Sequence, residues 1–118
     1  MTTHTEDFLQ RAKEAKQRIT EVSPAEARDK IVEGALLLDL REKDKFELGH
    51  IKGALNISPD ALDMRIGEVA PDKHAPIVCY CGGSNRAALT TDTLQQIGYT
   101  RVVSIQGGLK AYEADDET

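Results

Sequence analysis

Both cysteines of the chain lie in one short segment, VCYCGGSNRAA, residues 78–88. A cysteine does chemistry as its thiolate, which is the form that attacks electrophiles and binds metals. Cys81 stands at the end of an apolar run, APIVCYC, and directly before Gly82 and Gly83. Arg86 follows, and then Ala87, Ala88 and Leu89 open a helix-like pattern. If the run is a strand and the continuation a helix, the helix N-terminus points back at Cys81. Amides of a first helical turn lack intrahelical partners, and the helix dipole favours an anion there. Gly82 and Gly83 can take positive φ, so the amides of Gly82, Gly83, Ser84, Asn85 and Arg86 are expected to converge on one point. No proline removes any of these donors. Arg86 adds a permanent charge and a fork of further donors. Such surroundings favour the thiolate, and Cys81 reads as a nucleophile held in an anion-binding loop.

The ordinary alternative for a cysteine is a buried, inert thiol. That reading suits Cys79, which lies inside the apolar run, on the same side of the strand as Cys81, between Val78 and Tyr80. Metal chemistry fits poorly. Cys-x-Cys supplies two thiolates where structural zinc takes four ligands at recognisable spacings, and His4, His50 and His74 are scattered. No metal and no cofactor is expected. A Cys79–Cys81 disulfide would be strained, because residues i and i+2 of a strand sit near the upper Cα limit for a bridge.

The elements that must position Cys81 can be read from pattern. EDFLQRAKEAKQRI spaces Phe8, Ala12, Ala15 and Ile19 three or four apart, as an amphipathic helix does. SPAEARDKIVEG has Ser23 as N-cap, Pro24 at the first helical position, Glu26 three after the cap and Gly34 as the stop. ALLLDL, GALNI, APIVCYC and RVVSI read as short strands, and the most apolar of them as buried on both faces. SPDALDMRIG repeats the Ser-Pro-acid start and is expected to stop at Gly67. RAALTTDTLQQIGY is a helix stopped by Gly98, and GLKAYEA a last short one. Strands alternating with helices predict an α/β domain: a central parallel sheet of about five strands with helices on both faces. In such sheets ligands bind beyond the carboxyl ends of the strands, which is where Cys81 falls.

At 118 residues the chain suits one domain. A net charge of −5 and a pI near 5.2 argue against a nucleic-acid partner. No apolar run approaches the ~18 residues of a membrane span. MTTHTEDFLQRAKEAKQ has no apolar stretch of the signal-peptide kind, so a cytoplasmic protein is expected. Two cysteines do not make a secreted disulfide scaffold.

LLLDLREKDKFELGHIKGALNI resembles the first signature of the rhodanese superfamily: an aliphatic strand, Asp-x-Arg, a Glu/Phe segment, then Gly-His-Ile-x-Gly-Ala. IVCYCGGSNRAALTTDTLQQIGYTRVVSIQGGLKAY resembles its second half, with the cysteine-centred loop and the Gly-Gly before the last helix. The resemblance implies a single rhodanese-like domain over residues 19–114, an N-terminal helical extension at 1–18 and a frayed tail at 115–118. It implies a sulfurtransferase that moves a sulfane sulfur from thiosulfate or another persulfide donor to cyanide or a thiol, through a persulfide on Cys81. A protein thiol is a further acceptor that it admits. Residues 82–86 would hold the outer sulfur, with Arg86 pairing with the donor's charge. Asp39 and Arg41 match the family's Asp-x-Arg and read as an internal ion pair supporting the site. His50 matches the Gly-His-Ile position and reads as structural.

Two other chemistries share the superfamily. Phosphatases and arsenate reductases have loops one residue longer; six residues, Cys81 through Arg86, enclose one sulfur more readily than a tetrahedral phosphate. The loop also lacks an acid to protonate a leaving alkoxide. A non-enzymatic module, or a carrier passing sulfur from one protein to another, would have this same sequence. Two features depart from the family: Tyr112 stands in the region where many members have Trp, and the loop between Cys81 and Arg86 carries no charge of its own.

Overall fold

The computed structural model describes residues 2–116. Its frame is one parallel sheet of five strands: β1 (Glu21–Val22), β2 (Leu36–Asp39), β3 (Leu55–Asn56), β4 (Ile77–Tyr80) and β5 (Val102–Ile105), in the order β1-β5-β4-β2-β3. Strand β4 is central and all four of its residues are buried. Its register against β2 pairs Asp39 with Tyr80, and Leu40 donates its amide to the Tyr80 carbonyl at 2.9 Å. This pairing brings the segment after β2 beside the segment after β4.

Helices cover both faces, as the alternation of elements predicts. α2 (Pro24–Val32) and α6 (Gly108–Asp116) flank one face, whose core contains Val22, Leu37, Val78, Tyr80 and Ile105. α4 (Leu62–Val69) and α5 (Asn85–Gln96) flank the other, where Leu38, Leu40, Cys79, Cys81 and Val102 point. Cys79 and Cys81 thus share a face. The Ser23–Glu26 capping box is formed in both directions, at 3.1 and 2.9 Å.

α1 (Thr2–Lys16) packs across α5. Ala12 and Ala15 are fully buried; their small side chains let the two helix backbones approach closely. Arg18, just past α1, holds Asp92 of α5 with Nη2 at 2.7 Å, and Gln95 donates to the Arg18 carbonyl at 3.0 Å. The extension is therefore pinned to the helix that starts at the cysteine loop.

One expected helix boundary is corrected. Gly67 does not stop α4, which runs on to Val69. The stop is Pro71, which drives the preceding Ala70 out of helical geometry (φ −141°, ψ 71°). α6 runs to Asp116, with Asp115 paired to Arg28 at 2.9 Å; residues 117 and 118 of the expected 115–118 tail lie outside the described residues. β1 and the short helix α3 (Lys43–Leu48) have no counterpart among the expected elements.

Candidate active site

Cys81 sits one residue beyond β4 and is 4% exposed. Its Sγ accepts a hydrogen bond from the Ala87 amide at 3.4 Å. That donor lies in the first turn of α5, one position past the set expected from sequence. The helix N-terminus does aim at the sulfur. The same residue forms part of the wall of an open cleft of about 510 Å³, which Gly82, Gly83, Ser84, Asn85 and Arg86 also line. The structure therefore brings the whole six-residue loop to one cleft.

Cys79 is fully buried, and burial pushes its thiol up to about 12. It is a neutral thiol at physiological pH and lies outside the cleft wall. The two cysteines differ in access: Cys81 lines the cleft and Cys79 does not.

The glycines behave differently from the expectation. Neither Gly82 nor Gly83 has positive φ. A Cβ at either would meet nothing within 4 Å, so what their lack of a side chain provides is open space in the cleft. The left-handed backbone is in the facing turn, at Gly107 (φ 78°) and Gly108 (φ 66°). There the N-terminus of α6 docks on the loop: Leu109 donates to the Cys81 carbonyl at 2.8 Å and Lys110 to the Gly82 carbonyl at 3.4 Å. A Cβ on Gly108 would lie 2.6 Å from the Cys81 oxygen and collide with the Gly83 carbonyl. Gly108→Ala is expected to cost on the order of 1–3 kcal/mol, the range for imposed backbone strain. Gly83→Ala should stay within about 0.5 kcal/mol of the parent, as for an unconstrained surface site. Urea denaturation of both variants checks this; equal losses would show that Gly83 is the constrained position.

Asp39 and Arg41 form the internal ion pair expected of them. Asp39 is fully buried and Arg41 partly buried, with Nη2 2.8 Å from Oδ2 and Nε 3.1 Å from Oδ1. The Arg41 amide adds a bond to Oδ1 at 2.9 Å, and Tyr80 donates its hydroxyl to Oδ2 at 2.6 Å. Burial, and then the bond to Asp39, push the Tyr80 phenol up, so it stays protonated as a donor. Arg41 also donates to the Gly49 carbonyl at 2.6 Å, and Asn56 bridges the Asp39 and Arg41 carbonyls at 3.0 and 2.9 Å. The corner at residues 39–41 is thereby fixed, and Arg41 forms part of the cleft wall. His50 is outside the cleft; its ring stacks on Phe46 at 3.6 Å and Nδ1 donates to the Phe46 carbonyl.

Arg86 lies at the rim, half exposed, 3.8 Å from Glu42. An ion pair this open and long contributes little and leaves the guanidinium free to turn toward an anion. Glu42 and Lys45, from the start of α3, line the cleft, and so does Phe8 of α1. Lys16 of α1 donates to the Ser84 hydroxyl at 2.7 Å. The four residues between Cys81 and Arg86 carry no charge of their own, and Lys16 brings a second cation to them from α1. Sequence reasoning missed Phe8, Lys16, Glu42 and Lys45. Phe8 and Lys16 stand eight apart, on the same helical stripe as Ala12, which is the one signal that linked them.

A doubly covered parallel α/β sheet, with a cysteine loop running from the central strand into a helix N-terminus, defines the class. The rhodanese-like domain family matches residues 23–115, and the chain belongs to it. It is 40% identical over 78 residues to the uncharacterized protein YqhL of Bacillus subtilis, covering 66% of this chain and 60% of that one. It is 31% identical over 98 residues to the thiosulfate sulfurtransferase GlpE of Actinobacillus pleuropneumoniae serotype 3, covering 82% of this chain and 89% of that one. A solved structure from Rhodopseudomonas palustris, of unknown function and described as a possible tyrosine phosphatase, superimposes with a TM-score of 0.83. That match covers 92% of this chain and 90% of the other at 23% identity, a likeness of fold. Among the described residues no helix is long and apolar enough to cross a membrane.

Proposed function

We propose that the chain is a sulfurtransferase that carries a sulfane sulfur as a persulfide on Cys81. The observation that carries this reading is the Ala87 amide on Cys81 Sγ at the base of the cation-lined cleft. The similarity to a thiosulfate sulfurtransferase supports it. The Cys81 thiolate attacks the outer sulfur of thiosulfate. A new S–S bond forms on Cys81, the S–S bond of thiosulfate breaks, and sulfite leaves with the electron pair. Cyanide or a thiolate then attacks the outer sulfur. The persulfide bond breaks, the Cys81 thiolate returns, and thiocyanate or the acceptor's persulfide departs. No net oxidation occurs, and no general base is needed once the thiolate is formed.

The amides of residues 82–86 and the first turn of α5 would hold the charged outer sulfur, an interaction stronger than that of neutral partners. Asp39 and Arg41 support the site by fixing its wall. The cleft has far more room than thiosulfate occupies, which supports an organic persulfide as donor or a thiol as acceptor. The test is steady-state formation of thiocyanate from thiosulfate and cyanide. Parallel double-reciprocal lines are expected, the pattern of two half-reactions joined by a covalent intermediate. Intersecting lines, or turnover of an aryl phosphate in place of thiosulfate, would sink the reading.

A further inference from the structure

The family match begins at residue 23, so all of α1 lies outside it. Yet α1 reaches both the cleft and the cysteine loop. Phe8 forms part of the cleft wall, and Lys16 donates to Ser84, a member of the cysteine loop, at 2.7 Å. The helix cannot slide away from this position freely. Ala12 and Ala15 are fully buried, and Arg18 grips Asp92 with two nitrogens, Nε at 3.1 Å and Nη2 at 2.7 Å. Lys16 is itself partly buried, so its ammonium is held at the loop by packing along its stem and by the Ser84 hydroxyl. Arg86 of the loop has Glu42 beside it at 3.8 Å, and Arg41 and Lys45 line the cleft as well. Lys16 has the Ser84 hydroxyl of the loop as its partner.

We propose that α1 is part of the substrate site and that Lys16 is a specificity-determining residue, adding to Arg86 a second cation at the loop and strengthening its preference for an anionic sulfur donor. The inference rests on the sulfurtransferase reading and deepens it: a positive charge that the four residues between Cys81 and Arg86 lack is delivered from a helix outside the matched residues 23–115. The donor class it fits is a small anion with a terminal sulfur, thiosulfate being the simplest. Lys16 contributes charge to binding and not a group to the bond-making step, so its effect belongs in KM.

The experiment compares the full chain with Lys16→Gln and Lys16→Arg, both good helix formers. Lys16→Gln should raise the thiosulfate KM about five- to tenfold at low ionic strength, the effect of one charge near a dianion in water. The kcat and melting temperature should stay near those of the parent. The difference should shrink in salt, as screening requires. Lys16→Arg should restore most of the affinity. A second arm measures anion binding without turnover, as protection of Cys81 from iodoacetamide by sulfate, a dianion that does not itself react with the reagent; protection should weaken in Lys16→Gln by a similar factor. Unchanged KM and unchanged protection at low salt would overturn the inference, and so would a variant altered only in melting temperature or kcat. Protection that weakens in Lys16→Gln, with no sulfur transfer by either protein, would uphold the role of Lys16 and refute the sulfurtransferase reading. Absence of protection in the parent would overturn Lys16 as an anion contact.

Discussion

Cys81→Ser is expected to abolish thiocyanate formation, and Cys79→Ala to keep most of it. The hydroxyl of serine stays protonated at neutral pH and cannot hold a sulfane sulfur, so the covalent route closes with the first substitution. The second removes a sulfur from the core and leaves the loop intact. Cys79 is fully buried, its thiol pushed up to about 12, so it offers no thiolate to a donor in the cleft. Its truncation leaves a small cavity, with a cost at the low end of the range for core deletions. Thermal melts of both variants must accompany the rates. A folded, inactive Cys79→Ala beside an active Cys81→Ser would reverse the assignment.

Asp39→Ala is expected to lower the stability of the fold by about 3–5 kcal/mol, the loss seen when one partner of a buried ion pair is removed. Asp39 is the acceptor for the Arg41 side chain, the Arg41 amide and the Tyr80 hydroxyl. Alanine leaves a partly buried guanidinium without its counter-charge and a buried phenol without its acceptor. Domains of this kind have a total stability of roughly 5–15 kcal/mol, so the change removes a large part of it. Urea denaturation gives the size of the loss, and activity should fall in step with the folded fraction. A variant that melts like the parent and is inactive would mean that Asp39 takes part in the chemistry directly.

The parts of this molecule legible in its sequence are those whose causes are local. The Ser23–Glu26 box is read from four residues and is present as read. The aliphatic runs at Leu36, Ile77 and Val102 declare buried strands because both faces of a parallel strand must be apolar. The position of Cys81 at the mouth of the sheet follows from the strand-to-helix order alone. What failed depends on distant partners. β1 has two residues, and its pairing with β5 is set by tertiary approach and not by its own pattern. The need for glycine was placed at Gly82 and Gly83, because a loop that gathers amides invites positive φ. The positive φ lies at Gly107 and Gly108, where α6 docks on the loop carbonyls from the far side. The residues between Cys81 and Arg86 are uncharged in sequence, whereas Lys16 reaches Ser84 from 68 positions away.

The central claim is a covalent sulfur on Cys81, and intact-mass measurement after incubation with thiosulfate tests it most directly. The account predicts a gain of one sulfur atom by the parent chain, reversed by cyanide and localised by peptide mapping to Cys81. It predicts the same gain in Cys79→Ala and none in Cys81→Ser. A parent chain of unchanged mass that still forms thiocyanate, or an added sulfur mapped to Cys79, would contradict it.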